Sequence, residues 1–327
     1  MISDFAHHFC SVTEKAALAA YDWLGRGDKN KADQAAVEAM RQRLNQMPFS
    51  GEIVIGEGEI DEAPMLFIGE KLGLGGEAID IAVDPIDGTR MTAMGQSGAV
   101  AVLAAAEQGA LLKAPDMYME KLCSGPAGKG VIDIQQSIEA NVEAVAKAAG
   151  KKVSDMTVAT LAKPRHEDQI KRLHAMGVRV FAQPDGDVAA SLLTCVEHSE
   201  VDLMYCMGGA PEGVISAAAM RAMGGDMQAR LVPMTEAKGS TSAAQEAEVI
   251  ERARCKEMGV AIDTPLFLDQ LVSSDQIVFC MTGVTSGELV KGVAFNLGTA
   301  QTSTFLVNGA LSVQQVVTTD HSIGLNL

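Results

Sequence analysis

The sequence predicts an α/β protein in which short strands alternate with helices. Three observations carry that reading. Nearly half of the 327 residues are apolar, at 47%, which is enough for a large core. Glycine is frequent, at 32 residues, as expected where many strands turn into helices. From residue 157 onward, apolar runs of strand length alternate with stretches of helical period.

The elements follow in order. Residues 13–23 carry Ala and Leu at helical spacing after Thr13-Glu14, with Gly25 as the stop, and 33–44 place Ala36, Val37, Met40 and Leu44 on one helical face. Residues 53–55 and 79–83 are short buried strands. Residues 99–106 and 110–112 read as a hairpin around Gln108-Gly109. A helix over 138–149 ends at Gly150. Then come a strand at 157–161, a helix at 167–176, a strand at 178–181, a helix at 187–195, a strand at 202–205 and a helix from Val214 to 223. The Ser/Ala/Gln-rich segment 238–248 reads as an exposed loop leading into a helix that ends near Met258. Strands near 277–280 and 304–307 close the chain. There is no internal repeat and no long linker, and a soft domain boundary falls at 130–150.

Composition excludes several partners. With 42 acidic against 26 basic side chains, the net charge is -16, so nucleic acid and anionic membranes are not expected partners. An acidic protein that binds phosphate needs divalent cations, local Lys or Arg, or helix N-termini to offset its own field. The six cysteines (Cys10, Cys123, Cys195, Cys206, Cys255, Cys280) are scattered, without a C-x-x-C pair, which suits core thiols in a reduced cytoplasmic protein. The start lacks the basic and apolar regions of a signal peptide. The longest apolar stretch, 99–106, is too short to span a bilayer, so a soluble cytoplasmic protein is expected.

The most informative segment is Asp84-Pro85-Ile86-Asp87-Gly88-Thr89, directly after the apolar run 78–83. Two carboxylates three residues apart at a strand end repel unless a cation lies between them. Gly88 lets backbone approach a ligand, and Thr89 can open a helix whose free amides attract an anion. The same residues also suit an ordinary turn. A second cluster, Gly56-Glu57-Gly58-Glu59-Ile60-Asp61-Glu62, follows the strand 53–55 with the same layout. Carboxylates of this kind suit hard cations such as Mg²⁺ and Mn²⁺, although such clusters are often solvated turns. Gly208-Gly209-Ala210-Pro211-Glu212-Gly213 is either a well-made helix start or the source of a third carboxylate ligand from the other half of the chain. Lys163-Pro164-Arg165-His166 offers cations at a strand end for a second phosphate. Pro184-Asp185-Gly186-Asp187 offers short carboxylates for sugar hydroxyls, or an N-cap. No G-x-S-x-G, Walker A or G-x-G-x-x-G element is present, so serine hydrolase, P-loop and dinucleotide-binding readings lack support.

Taken together, these motifs resemble the class II (GlpX-type) fructose-1,6-bisphosphatases, a branch of the lithium-sensitive, metal-dependent phosphatase superfamily. The resemblance runs from the Thr13-Glu14 helix through Gly25 to Asn30, Gly56 to Asp61, Ala114 to Met119, Lys163 to Arg165, Pro184 to Ser191 and Gly208 to Gly213, and reaches about Gly287. It implies a layered αβαβα sandwich. An N-terminal α+β domain, 1–140, would carry most metal ligands, and a C-terminal α/β domain, 141–327, the sugar contacts and Glu212. It implies hydrolysis of the 1-phosphate of fructose 1,6-bisphosphate in gluconeogenesis, with Mn²⁺ or Mg²⁺, by a homo-oligomer (dimer or tetramer). By motif position, Asp33 and Glu57 would hold one metal, and Asp84, Asp87 and Glu212 another. Asp87, Gly88, Thr89, Tyr118, Lys163, Pro164, Arg165, Asp185, Gly186, Asp187 and Gly209 would line the substrate. Class II enzymes usually carry Glu at the position of Asp87, whereas inositol monophosphatases carry Asp, so a change in metal geometry or preference is expected.

Enzymes accelerate phosphate-monoester hydrolysis by up to ~10²¹-fold, whereas general acid–base catalysis contributes only about 10²–10⁴-fold. Two cations roughly 3.5–4 Å apart can supply more, by activating water and stabilising the leaving oxygen. Thr89, assisted by Asp33 or Glu57, is expected to orient and deprotonate the attacking water. Alternatives are a dual fructose/sedoheptulose bisphosphatase, an inositol monophosphatase-like enzyme, and a non-catalytic sugar-phosphate sensor.

Overall fold

The computed structural model describes residues 2–56 and 66–322. Chain contacts divide it into two compact units, one formed by residues 1–110 together with 274–327, the other by 111–273. This differs from the expected split at 140/141. Residues 111–140 supply a central strand of the second sheet, and the chain end returns to complete the first sheet, a long-range pairing that no local signal announces.

Helices α1 (Ala6–Tyr21) and α2 (Lys29–Leu44) open the chain, followed by β1 (Phe49–Ile55), β2 (Lys71–Leu72), β3 (Glu77–Asp87), α3 (Thr89–Met94) and β4 (Val100–Glu107). The second unit comprises β5 (Tyr118–Ser124), α4 (Ile138–Ala149), β6 (Thr157–Leu161), α5 (Glu167–Ala175), β7 (Arg179–Gln183), α6 (Val188–Leu193), β8 (Leu203–Gly209), α7 (Ala210–Ala222), β9 (Asp226–Val232), α8 (Met234–Lys238), α9 (Ser242–Met258), β10 (Pro265–Phe267) and α10 (Leu268–Leu271). The chain then returns through β11 (Ile277–Gly283), β12 (Ala294–Asn296), β13 (Thr299–Asn308) and β14 (Val313–Ser322). Both units are mixed α/β, in agreement with the expected class.

In the first unit the sheet order is β12-β13-β11-β4-β3-β1-β2, with β14 on the far side of β13. Among the described residues of this unit only β1 and β3 run parallel; the other pairs are antiparallel. The α1 face bearing Phe9, Val12, Ala16 and Ala20 packs into a core with Phe49, Ile53, Ile81 and Leu103. Asp28 caps α2, its carboxylate accepting the Lys31 amide at 3.1 Å. The rings of Phe9 and Phe49 stack with centroids 5.8 Å apart, both fully buried.

In the second unit the order is β10-β9-β5-β8-β6-β7. The β6–β7 and β6–β8 pairs are parallel, joined by helical crossovers, as the alternating pattern anticipates. Helix α4 is capped by Ser137 and stopped by left-handed Gly150.

Several local expectations change. The hairpin around Gln108-Gly109 does not form: β4 pairs with β3 and β11, and Leu111 makes only an isolated bridge to Val272. The apolar run 99–106 is a fully enclosed strand flanked on both sides, which a two-stranded hairpin could not bury. The expected loop 238–248 contracts to residues between α8 and α9, because Thr241 caps a sequence rich in the helix formers Ala, Gln and Glu. Strands β2, β5, β9, β10, β12 and β14 are additional. All six cysteines are free thiols, five of them buried.

Removing the stacked ring by Phe49→Ala is expected to cost about 3–5 kcal/mol, because the cavity lies where α1 meets the sheet. A urea melt that moved by less than 1 kcal/mol would place that packing outside the stabilising core.

Candidate active site

The first unit brings together four of the expected site residues at the end of β3. Contrary to the expectation that the strand stops at Val83, pairing continues to Asp87. It does so through a bulge: Asp84 lies opposite Val102 and Asp87 opposite Val100, so β3 has one residue too many. Pro85, which has no amide hydrogen to give, falls in that bulge. Residues three apart on a regular strand point to opposite faces, and the extra residue cancels that alternation. A carboxylate oxygen of Asp84 and one of Asp87 accordingly lie within 4.8 Å of each other. Both side chains are buried. The Ile86 amide donates to Asp84 Oδ1 at 2.9 Å, fixing that carboxylate from the backbone.

Gly88 follows with φ of 94° and leads into α3. A side chain is disfavoured there on backbone grounds and by space, since a Cβ would come within 2.4 Å of Met91 Cε. Thr89 is half-buried, and its hydroxyl donates to the Ile86 carbonyl at 3.0 Å. With its hydrogen committed, that oxygen retains lone pairs for accepting. Asp33 sits in the second turn of α2, half-buried. Glu57, with Gly58 to Glu62, lies outside the described residues.

The other expected residues all belong to the second unit. Glu212 occupies the first turn of α7, after Gly209, the last residue of β8. Its Oε2 is shut from solvent and has no hydrogen-bond partner among the described residues. Burial pushes the Glu212 carboxyl up to about 7, against the opposing pull of the Lys121 charge. The glycine before the helix is needed for space, because a Cβ on Gly209 would stand 2.1 Å from that Oε2.

Asp187 ends the turn before α6 and is 3% exposed. Its Oδ2 accepts from Lys121 Nζ at 2.7 Å and from the Cys206 thiol at 3.2 Å. Lys121 is fully buried; burial lowers its pKa, and the surrounding Asp187, Cys206 and Glu212 more than reverse that. Asp185 instead pairs with Lys163 at 3.0 Å, just before the positive-φ Gly186. Pro164 and Arg165 lie in a single 3₁₀ turn, from which the Arg165 Nε donates to the Met207 carbonyl at 2.7 Å. The Arg165 guanidinium lies 5.2 Å from the Tyr118 ring centroid, and Lys238 Nζ lies 5.3 Å from it. Sheet register places Tyr118 directly opposite Gly209 and Val232. Tyr118, Arg165 and Gly209 therefore occupy one end of this sheet.

Three residues escaped the sequence reading: Lys121, Lys238 and the structural role of His166. The only signal for Lys121 is a charge inside the run Met119-Glu120-Lys121-Leu122-Cys123. His166 is a strut. Its Nδ1 donates to the Leu161 carbonyl at 3.0 Å and its Nε2 accepts the Met207 amide at 2.8 Å, which fixes a neutral tautomer. Burial, helped by the Arg165 charge, pulls its pKa from 6.5 down to about 4.

A family model described as bacterial fructose-1,6-bisphosphatase, glpX-encoded, matches residues 3–321. The chain belongs to that family. Among curated relatives, "Fructose-1,6-bisphosphatase class 2" of Haemophilus influenzae is 56% identical over 305 residues, covering 93% of this chain and 92% of the relative. "Fructose-1,6-bisphosphatase 1 class 2" of Escherichia coli K12 is 55% identical over 310 residues, covering 94% and 92%. A protein of Crocosphaera subtropica named "D-fructose 1,6-bisphosphatase class 2/sedoheptulose 1,7-bisphosphatase" is 40% identical over 337 residues, covering 98% and 97%. The glpX-encoded family is thus matched along nearly the whole chain, both units included. No described helix is long and apolar enough to cross a membrane.

The strut has a measurable pH signature. Above pH 6.5 residue 166 is neutral in both folded and unfolded chains; below it only the unfolded chain takes up the proton, until about pH 4. The stability His166 contributes is therefore present above 6.5 and lost as the pH falls towards 4. Against His166→Gln, which cannot titrate, the wild-type advantage in urea unfolding should shrink over that window. A constant difference from pH 7 to 4 would refute the neutral strut.

Proposed function

We propose that the chain hydrolyses the 1-phosphate of fructose 1,6-bisphosphate, releasing fructose 6-phosphate and inorganic phosphate. The observation that carries this reading is the β3 bulge, which holds two buried carboxylates together immediately before Gly88 and Thr89. Family membership and the names of the relatives support it. The chemistry of the donors fits a hard divalent cation, because all are carboxylates and, among the described residues, no thiol or imidazole joins them. The buried Glu212 Oε2, without a hydrogen-bond partner among the described residues, fits the same group.

Asp84, Asp87 and Glu212 would hold one cation, and Asp33 with Glu57 another; Mn²⁺ or Mg²⁺ is the proposed ion. When bound, such cations lower the pKa of water and offset charge on the phosphoryl group. The chain's own residues then have separate tasks. Thr89 Oγ1, whose hydrogen is given to Ile86, accepts a hydrogen bond from the attacking water and sets its direction. Asp33 or Glu57 takes the proton. The amides after Gly88 face the phosphoryl oxygens. Arg165, Lys163 and Tyr118 receive the phosphate that is not cleaved, and Asp185, Asp187 and Gly209 the sugar. The enzyme is read as a cytoplasmic homo-oligomer, a dimer or tetramer. The dual-function relative favours a second reading, activity on sedoheptulose 1,7-bisphosphate, for which the same residues would serve.

The deciding assay is phosphate release from fructose 1,6-bisphosphate with Mn²⁺ or Mg²⁺, with and without Li⁺, run beside sedoheptulose 1,7-bisphosphate and inositol monophosphate. Absence of release from the first substrate under every cation would refute the proposal. Glu212→Ala should abolish turnover with the fold retained, and wild-type turnover at low Mn²⁺ would remove Glu212 from the cation site. Thr89→Ala should lower kcat by about 100-fold or more with a smaller change in KM, the pattern of an interaction made chiefly in the transition state. An unchanged kcat would rule the threonine out.

A further inference from the structure

Strand β5 lies inside the second sheet, between β9 and β8, and the middle of it carries a lysine with no exposed surface. Lys121 Nζ donates to Asp187 Oδ2 at 2.7 Å, and Cys206 Sγ donates to the same oxygen at 3.2 Å. The other oxygen, Oδ1, is equally shut off and has no hydrogen-bond partner among the described residues. Two glycines keep the space open. A Cβ on Gly208 would fall 2.0 Å from Asp187 Oδ2 and 3.2 Å from Lys121 Nζ. One on Gly213 would fall 3.3 Å from Lys121 Cε and 2.3 Å from Met119 Sδ.

A buried ion pair is a poor way to stabilise a sheet. The desolvation of both ions offsets most of their attraction, and apolar residues of similar volume do as well or better. What the pair does provide is direction. A carboxylate held through one oxygen by an ammonium and a thiol cannot rotate, so its second oxygen points one way. A buried acceptor left open in that manner costs free energy until a donor arrives.

We propose that Lys121 is a positioning residue, which clamps Asp187 through Oδ2 so that Oδ1 stands ready to accept a hydroxyl of the sugar phosphate. The proposal rests on the sugar-phosphate reading given above. Lys121 acts only through Asp187 and touches no substrate.

The test is a double-mutant cycle of Lys121→Met and Asp187→Asn, read by KM and kcat and by Mn²⁺ binding to the metal-free proteins in the absence of substrate, followed by electron paramagnetic resonance. Each single variant should raise KM by about tenfold or more, the loss expected for a hydrogen bond to a charged group, while kcat stays within about threefold. The double variant should be no worse than Asp187→Asn, because Lys121 acts only through the Asp187 carboxylate, which the asparagine already lacks. Mn²⁺ binding should stay within about threefold throughout, since the clamp serves the sugar. A wild-type KM in either single variant would overturn the proposal, as would effects that multiply in the double variant, or a loss of Mn²⁺ binding that accounts for the change. If Lys121→Met alone does not fold, the double variant, which leaves neither charge buried, is compared with Asp187→Asn: equal KM supports the clamp and a further rise overturns it. The wild-type enzyme is assayed first. Failure to release phosphate from fructose 1,6-bisphosphate counts against the proposed activity, and the cycle then uses whichever sugar phosphate of the panel the wild type cleaves.

Discussion

Carboxylates taken out of water govern this molecule. An ionised side chain shut away from solvent loses several kcal/mol of hydration and persists only where charge or hydrogen bonds replace it. Asp84, Asp87 and Asp187 are all nearly inaccessible, and Glu212 has one oxygen in the same condition. Much of the surrounding architecture answers to them. The bulge in β3 sets Asp84 beside Asp87, glycines in β8 and α7 leave room for Asp187, Glu212 and Lys121, and a lysine takes an interior position on β5.

The carboxylates of the second unit differ in how their charge is met. Asp187 has an ammonium supplied by the fold at 2.7 Å, which suits it to a fixed acceptor role. Glu212 has Lys121 only as a neighbouring charge, and burial still raises its pKa. A carboxyl in that state gains most from a cation that displaces its proton. One lysine thus gives two neighbouring acids different electrostatic surroundings, a division that residue type alone does not express.

Much of the candidate site was legible because its proposed chemistry is local. Asp84 to Thr89, Glu212 with its glycines, and Lys163 to Arg165 each lie within a few consecutive residues, and their order along the chain carries the family resemblance. What was hidden depends on distant pairing. The bulge exists only against β4, which fixes the register of Asp84 and Asp87. Strand β5 was missed because Glu120-Lys121 in its centre breaks the apolar pattern; their partners, Tyr205 and Arg230 for one and Asp187 for the other, come from far along the chain. The last strand, β14, shows little burial and has no apolar face to announce it. The domain boundary was displaced for the same reason, since a chain that leaves a sheet and later returns has no marker in composition.

That return has a consequence for biogenesis. Strand β4 is apolar along nearly its whole length, and one of its two neighbours, β11, emerges from the ribosome only after the entire second unit. Until then the growing first unit carries an open, uncharged edge, the kind that recruits other strands. The inserted unit, by contrast, is continuous in sequence and can complete its own sheet earlier. The order of synthesis therefore favours a nascent chain whose middle is finished before its beginning, the β4 edge staying open until β11 arrives.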